Sequence, residues 1–237
     1  MPAPRPTSGP PLPTAVLWDM DGTLVDTEPL WNAAQQALLA EYGGVWSEAL
    51  AASLVGRPLD EGARRLQAAG IGLDVEQIIA RTMGEVAAAI ADAVPWRPGA
   101  LELLRKQSAT GVPGALVTMS HAPLARVLAE HAPDGALTVV VTGDQARAGK
   151  PDPEAYRLAL HRLGEHVPGL DPADCVAVED SPVGVRAAVT AGLPTVGVPS
   201  VLPLPAGVAT VEWDTLAGRT LADLAAVRPG PAPDGRG

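Results

Sequence analysis

Ala15-Val16-Leu17-Trp18-Asp19-Met20-Asp21-Gly22-Thr23 is the most informative stretch of this 237-residue sequence. A short apolar run that ends in acid and glycine is typical of a buried strand leading into a loop. Side chains two residues apart on a strand point to the same side, so both carboxylates can face one point at its carboxyl end. Ligands bind at that end in open α/β sheets. Two like charges this close repel, and the pair therefore predicts a bound cation or a chemical role.

The remaining pattern predicts an α/β fold with an insertion. Short apolar runs at residues 115–118, 137–141, 175–178 and 195–198 each follow a segment with helical periodicity. This alternation is typical of a parallel, doubly wound sheet with helices on both faces. Residues 29–93 contain periodic apolar residues that predict three helices, at about 30–41, 54–66 and 75–90. We therefore predict a core of residues 15–28 and 94–227, and a smaller all-helical domain at 29–93.

Composition excludes several classes of protein. The net charge of −10 opposes binding to nucleic acid, although a local cation could still attract a small phosphorylated substrate. No run of 18 uncharged apolar residues occurs, so we expect no membrane span. Cys175 is the only cysteine, which excludes an internal disulfide and favours a reducing, cytoplasmic compartment. The proline- and glycine-rich residues 1–14 and 228–237 predict disordered tails.

Three other segments place polar groups where this topology puts strand ends. Thr118 closes one strand, and its hydroxyl can donate to a phosphoryl oxygen without adding charge. Lys150, one of only two lysines, lies in a proline-rich turn that limits backbone freedom. Glu179 and Asp180 follow another strand and are hard oxygen ligands of the kind that Mg²⁺ binds.

These segments resemble, in order, the four motifs of the haloacid dehalogenase (HAD) superfamily phosphatases. The matching stretches are DMDGTLVD at residues 19–26, VTMS at 117–120, GKPDP at 149–153 and EDSPVG at 179–184. The resemblance covers residues 15 to about 200 and is strongest to β-phosphoglucomutases and sugar-phosphate phosphatases. It implies a HAD core and a helical cap that closes over the substrate and excludes water.

The resemblance also implies a role for each motif residue. Asp19 would be the nucleophile that forms an aspartyl-phosphate, and Asp21 the general acid and base. Thr118 and Lys150 would hold the phosphoryl oxygens. Mg²⁺ would be held by Asp19, the carbonyl of Asp21 and Asp180. Glu179 could be a further direct ligand or simply a second acid on the loop.

The candidate substrate-binding residues are Gly22, Ser120, Arg57 and Trp31. Ser120 has two interpretations, a second phosphate donor or the N-cap of the following helix. Arg57 could meet the substrate or remain solvated, and Trp31 could line a pocket or pack in a core.

Departures from the family patterns favour a phosphatase. Haloacid dehalogenases lack the second aspartate, which is present here as Asp21. Phosphonoacetaldehyde hydrolases need a cap lysine, and residues 29–93 contain none. Trp31 and Leu59 stand where β-phosphoglucomutases have a histidine and an arginine. We therefore expect a Mg²⁺-dependent phosphatase of a small phosphorylated metabolite. The alternatives are a phosphosugar mutase and a non-catalytic phosphometabolite-binding protein. The sequence gives no prediction of oligomeric state.

Overall fold

A computed structural model describes residues 11–55 and 57–228 of the chain. Most of the two predicted tails (1–10 and 229–237) and Gly56 lie outside the described residues. The described elements are, in order, β1 (Val16–Trp18), α1 (Glu28–Glu41), α2 (Glu48–Leu54), α3 (Leu59–Ala68), α4 (Val75–Asp92), α5 (Ala100–Thr110), β2 (Gly114–Val117), α6 (Ala122–His131), β3 (Val139–Val141), α7 (Glu154–Gly164), β4 (Val176–Glu179), α8 (Pro182–Thr190), β5 (Thr195–Gly197), β6 (Val211–Glu212) and α9 (Leu221–Ala225).

The six strands form one parallel sheet in the order β3-β2-β1-β4-β5-β6. Strand β1 lies in the middle of this sheet, β2 and β3 follow on one side of it, and β4 to β6 follow on the other side. This strand order confirms the predicted doubly wound α/β fold, in which ligands bind near the point where the order reverses. That point lies between β1 and β4.

Strands β1, β2, β4 and β5 are buried on both faces of the sheet, as their continuous apolar runs predict. Alternate residues of β1 point into separate apolar clusters. Trp18 packs with residues of α5, α6 and α9 on one face, whereas Leu17 packs with residues of α7 and α8 on the other. The indole N–H of Trp18 donates to the side-chain oxygen of buried Gln107 (2.8 Å), so its one polar group is satisfied.

The register of the sheet brings the polar residues to one edge. Trp18 of β1 lies opposite Leu116 of β2 and Val178 of β4. The next residue along β1, Asp19, is therefore level with the last residues of both neighbours. Its backbone N–H donates to the carbonyl of Val178 at 3.0 Å, which fixes this alignment.

Four helices, α1 to α4, lie between β1 and α5. They share an apolar cluster separate from the two at the sheet, built around residues such as Leu39, Leu66 and Ile78. The predicted single helix at 54–66 is wrong: α2 ends at Leu54 and α3 begins at Leu59, directly after Pro58. Proline disfavours helix in the residue before it and lacks the N–H that a helix interior needs.

The two segments that connect these helices to the sheet run side by side. The backbone N–H of Asp26 donates to the carbonyl of Pro95 (2.9 Å), and that of Arg97 donates to the carbonyl of Leu24 (2.8 Å). Helix α4 also packs against α6. Among the described residues, no helix is both long and apolar enough to cross a membrane.

Candidate active site

Lys150 is the centre of a buried ion-pair network at the carboxyl edge of the sheet. Its ammonium donates to Asp19 Oδ1 (2.7 Å), Glu179 Oε1 (2.6 Å) and the carbonyl of Val117 (2.9 Å), so all three protons are used. Only 4% of its side chain is exposed. Burial disfavours the ammonium, but the charges of Asp19 and Glu179 outweigh burial and raise the pKa of Lys150. The side chain therefore stays charged.

Asp21 accepts hydrogen bonds from three hydroxyl groups. Thr27 donates to Oδ1 at 2.7 Å, while Thr118 (3.1 Å) and Ser120 (2.8 Å) donate to Oδ2. Burial and the charge of Asp19 raise the pKa of Asp21, and the three donors partly oppose that rise. The N-cap interpretation of Ser120 is wrong, because the N-cap of α6 is His121 and the Ser120 hydroxyl reaches Asp21 instead.

Three carboxylates converge beside this network. One oxygen from each of Asp19, Glu179 and Asp180 lies within 4.8 Å of the other two. Two ligands of one Mg²⁺ lie up to about 4.2 Å apart, so small side-chain rotations would bring all three onto a single ion. Burial and the neighbouring charge of Asp19 raise the pKa of both Glu179 and Asp180.

The cluster has the properties of a cation site. Within the part of the chain that the structure describes, Asp19 Oδ2 and Glu179 Oε2 are buried without a hydrogen-bond partner. A buried carboxylate oxygen without a partner is costly, and a hard cation is the group that would satisfy oxygens of this kind. The residues present therefore fit a bound Mg²⁺.

Two glycines make room for the acidic side chains. Gly22 has a φ of +85°, and a Cβ at this position would overlap the carboxylate of Asp180. Gly184 lies in the first turn of α8, where a Cβ would overlap the carboxylate of Glu179. The predicted substrate-binding residue Gly22 is thus placed against Asp180, where only a residue without a side chain fits.

Two residues of this site had no signal in the sequence. Thr27 precedes α1, where a capping role would be its ordinary interpretation, but its hydroxyl bonds to Asp21 and makes no cap. Tyr156 on α7 is completely buried, and its hydroxyl donates to Glu179 Oε1 at 2.6 Å. Tyr156 lies 23 residues from Glu179 in the sequence and Thr27 lies six from Asp21, and residue spacing alone reveals neither contact.

Trp31 and Arg57 lie elsewhere. Both line a cavity of about 30 Å³ whose other walls come from α1 to α4 and the turn between α2 and α3. Arg57 forms an ion pair with Glu61 at 3.4 Å, and the two side chains are 48% and 37% exposed. The structure does not bring these two residues into contact with the acidic cluster.

Comparison with protein-family models identifies the family. Residues 13–192 match the model of the haloacid dehalogenase-like hydrolases. The chain belongs to this family. The match covers strands β1 to β4, ends just after α8, and includes Asp19, Lys150 and Asp180.

Individual haloacid dehalogenase-like hydrolases are similar along most of the chain. Hexitol phosphatase A of Escherichia coli is 33% identical over 182 residues, which cover 77% of this chain and 81% of that protein. The phosphorylated carbohydrates phosphatase of Thermotoga maritima is 35% identical over 185 residues, covering 76% and 82%. The crystal structure of CbbY from Rhodobacter sphaeroides in complex with phosphate matches with a TM-score of 0.77 and 28% identity, covering 90% of this chain and 99% of that one.

Proposed function

We propose that this protein is a Mg²⁺-dependent phosphatase that hydrolyses a small phosphomonoester, such as a sugar phosphate, through an aspartyl-phosphate. One observation carries the proposal: the buried ammonium of Lys150 bonds Asp19 beside three converging carboxylates. Phosphoryl transfer depends mainly on positioning and on stabilisation of charge, and this arrangement supplies both. Family membership and the phosphatase names of two relatives support the same reaction class.

Asp19 is the proposed nucleophile. Lys150 holds Oδ1 and so fixes the orientation of the carboxylate at the carboxyl end of β1. Attack of the carboxylate on phosphorus forms the acyl-phosphate bond and breaks the bond between phosphorus and the ester oxygen. The charge of the Lys150 ammonium then stabilises the phosphoryl oxygens, and the Thr118 hydroxyl does so by turning its hydrogen bond from Asp21 to a phosphoryl oxygen.

Asp21 is the proposed general acid and base. Burial and Asp19 raise its pKa, which favours the protonated form that the first step requires. Asp21 gives this proton to the leaving oxygen as the ester bond breaks. It then takes a proton from the water that attacks phosphorus, and that attack releases inorganic phosphate and restores the Asp19 carboxylate.

The residues proposed to hold Mg²⁺ are Asp19, Asp180, Glu179 and the carbonyl of Asp21. A bound Mg²⁺ would offset the repulsion among the carboxylates and the charge of the incoming phosphoryl group. Asp19 and Glu179 are each already bonded to Lys150 through one oxygen, so Asp180 is the least constrained of the three acids. We propose that Glu179 first anchors Lys150 and contributes to the cation site through its other oxygen.

The predicted helical domain, residues 29–93, is the proposed cap. Its separate apolar cluster and the paired segments that join it to the sheet support a unit that can close over the carboxyl edge. In this proposal, Trp31 and Arg57 select the substrate from the cap side. Gly22 and Ser120 are the corresponding candidates on the sheet side.

Release of phosphate from p-nitrophenyl phosphate tests the reaction class. We expect turnover that needs Mg²⁺ and stops with EDTA, and a loss of at least about a thousandfold in Asp19→Asn and Asp21→Asn. Asp92→Asn is the matched control, because it makes the same change at an exposed residue at the end of α4. Retained turnover in Asp19→Asn would contradict the mechanism.

A panel of phosphorylated metabolites then addresses the substrate. Release of phosphate together with free sugar supports the phosphatase. Conversion of β-glucose 1-phosphate to glucose 6-phosphate would instead identify a phosphosugar mutase. Tight binding of a sugar phosphate without any turnover would identify a binding protein.

A further inference from the structure

Tyr156 contacts both partners of the buried ion pair between Lys150 and Glu179. Its hydroxyl donates to Glu179 Oε1 at 2.6 Å, and its ring centroid lies 5.2 Å from the ammonium of Lys150. The residue is fully buried in the first turn of α7, six residues after Lys150 in the sequence. The mechanism proposed above does not use this side chain.

The hydroxyl contributes more than packing. The ring already packs in the apolar cluster beneath the sheet, together with Leu163 and Leu17, and a phenylalanine would fill the same space. A buried hydroxyl is costly unless it is hydrogen-bonded. The Tyr156 hydroxyl donates to the Glu179 carboxylate, the group that also holds Lys150. A phenol is protonated near neutral pH, so the hydroxyl is a neutral donor.

A neutral donor on Glu179 changes how Lys150 is shared. The ammonium bonds two carboxylates, at 2.7 Å on Asp19 and 2.6 Å on Glu179. Glu179 Oε1 also accepts the hydrogen bond from Tyr156, which offsets part of its negative charge without adding a positive one. Glu179 then attracts Lys150 less strongly, and the ammonium stays on Asp19, where its positive charge acts on the phosphoryl group.

We propose that Tyr156 is a positioning residue that acts through Glu179 to keep the Lys150 ammonium on Asp19. The inference rests on the proposed function, because it assigns Tyr156 to the phosphoryl-transfer step. Tyr156 touches neither the nucleophile nor the position of the substrate in this account. Its effect should therefore appear in kcat rather than in KM.

A double-mutant cycle distinguishes this role from a structural one. In the p-nitrophenyl phosphate assay we expect Tyr156→Phe to lower kcat about tenfold, as for one charge-assisted hydrogen bond, with KM within about twofold of wild type. If Tyr156 acts through Glu179, the double variant Tyr156→Phe/Glu179→Gln has the kcat of Glu179→Gln alone. A structural role would instead make the two losses multiply.

Leu163→Ala is the matched control. Leu163 is fully buried on the same helix and belongs to the same cluster, so its truncation destabilises α7 without touching the ion pair. We expect its kcat to equal that of wild type below its melting temperature. A kcat for Tyr156→Phe within twofold of wild type, or multiplied losses in the double variant, overturns the inference.

A spectroscopic measurement tests the contact in a protein that retains the hydroxyl. Tyr42 and Tyr156 are the only tyrosines, so 3-fluorotyrosine in Tyr42→Phe protein labels position 156 alone. We expect Glu179→Gln to shift this ¹⁹F resonance and the control Asp92→Asn to leave it in place. An unshifted resonance in Glu179→Gln would overturn the inference. Absence of turnover in the wild-type protein would overturn both the proposed function and this inference. An active wild-type protein with an unchanged kcat in Tyr156→Phe would overturn the inference alone.

Discussion

Gly22→Ala tests whether the acidic cluster is a cation site without relying on activity. The new methyl group would occupy the position of the Asp180 carboxylate, which must then turn away. Gly22 also has a φ of +85°, so the substitution strains the backbone as well. Gly192 provides a matched control, because its φ is +89° and a Cβ there would meet nothing within 4 Å.

The two effects have separate magnitudes. Left-handed strain costs an L-residue about 1–2 kcal/mol, so both Gly22→Ala and Gly192→Ala should lose about that much stability in EDTA. At a Mg²⁺ concentration 100 times its Kd, wild type and Gly192→Ala should gain about 2.7 kcal/mol. If loss of the Asp180 ligand weakens binding 100-fold, Gly22→Ala should gain only about 0.4 kcal/mol at the same concentration.

Urea unfolding followed by tryptophan fluorescence measures both quantities, since the chain contains five tryptophans. Each protein is unfolded in EDTA and in Mg²⁺ at about 100 times the wild-type Kd, and the difference between the two free energies of unfolding is compared across the three proteins. The same gain from Mg²⁺ in Gly22→Ala as in Gly192→Ala would refute the assignment of Asp180 as a metal ligand. No gain in wild type would refute the cation site itself.

Three further predictions concern the buried groups. Lys150→Met leaves two buried carboxylates without their ammonium, and should lower the free energy of unfolding in EDTA by about 3–5 kcal/mol; an unchanged urea midpoint would argue against the network. Gln107→Leu removes the hydrogen-bond acceptor of the Trp18 indole, and it should lower the free energy of unfolding in urea by about 1–3 kcal/mol while activity is retained. A decrease below about 0.5 kcal/mol would be too small for a buried donor without a partner. Burial raises the pKa of Cys175 to about 12, so the thiol is protonated at pH 8 and should react with a disulfide reagent only on unfolding; rapid stoichiometric reaction of the folded protein would contradict this.

The sheet and the acidic cluster could be predicted because their signals are local. β1 is an apolar run with an abrupt acidic end, and parallel strands deliver their carboxyl ends to one edge whatever the loops between them. Lys150 stood out because lysine is scarce in this chain. These features need only the residue pattern and the topology that follows from it.

The remaining contacts depend on packing across long sequence separations. Ser120 reaches Asp21, 99 residues away, and a hydroxyl just before a helix looks the same whether it caps the helix or not. Glu179 is fully buried as the last residue of β4, although acidic residues are rarely buried. Its partners Lys150 and Tyr156 explain the burial, but only the folded chain shows that they meet.

The division of one predicted helix into α2 and α3 has a more local cause. Apolar residues continue at helical spacing from Leu54 to Leu66, so periodicity alone favours one element. Pro58 interrupts the backbone pattern without interrupting the apolar one. A proline therefore separates two helices here even though the apolar spacing continues across it.

Trapping of the covalent intermediate tests the central claim most directly. Borohydride added during turnover of p-nitrophenyl phosphate reduces an acyl-phosphate to an alcohol, and peptide mass spectrometry locates the reduced residue. The account predicts homoserine at position 19 in wild type, dependent on both substrate and Mg²⁺, and none in protein denatured before substrate is added. Phosphate release with position 19 unmodified, or reduction at another carboxylate, would contradict it.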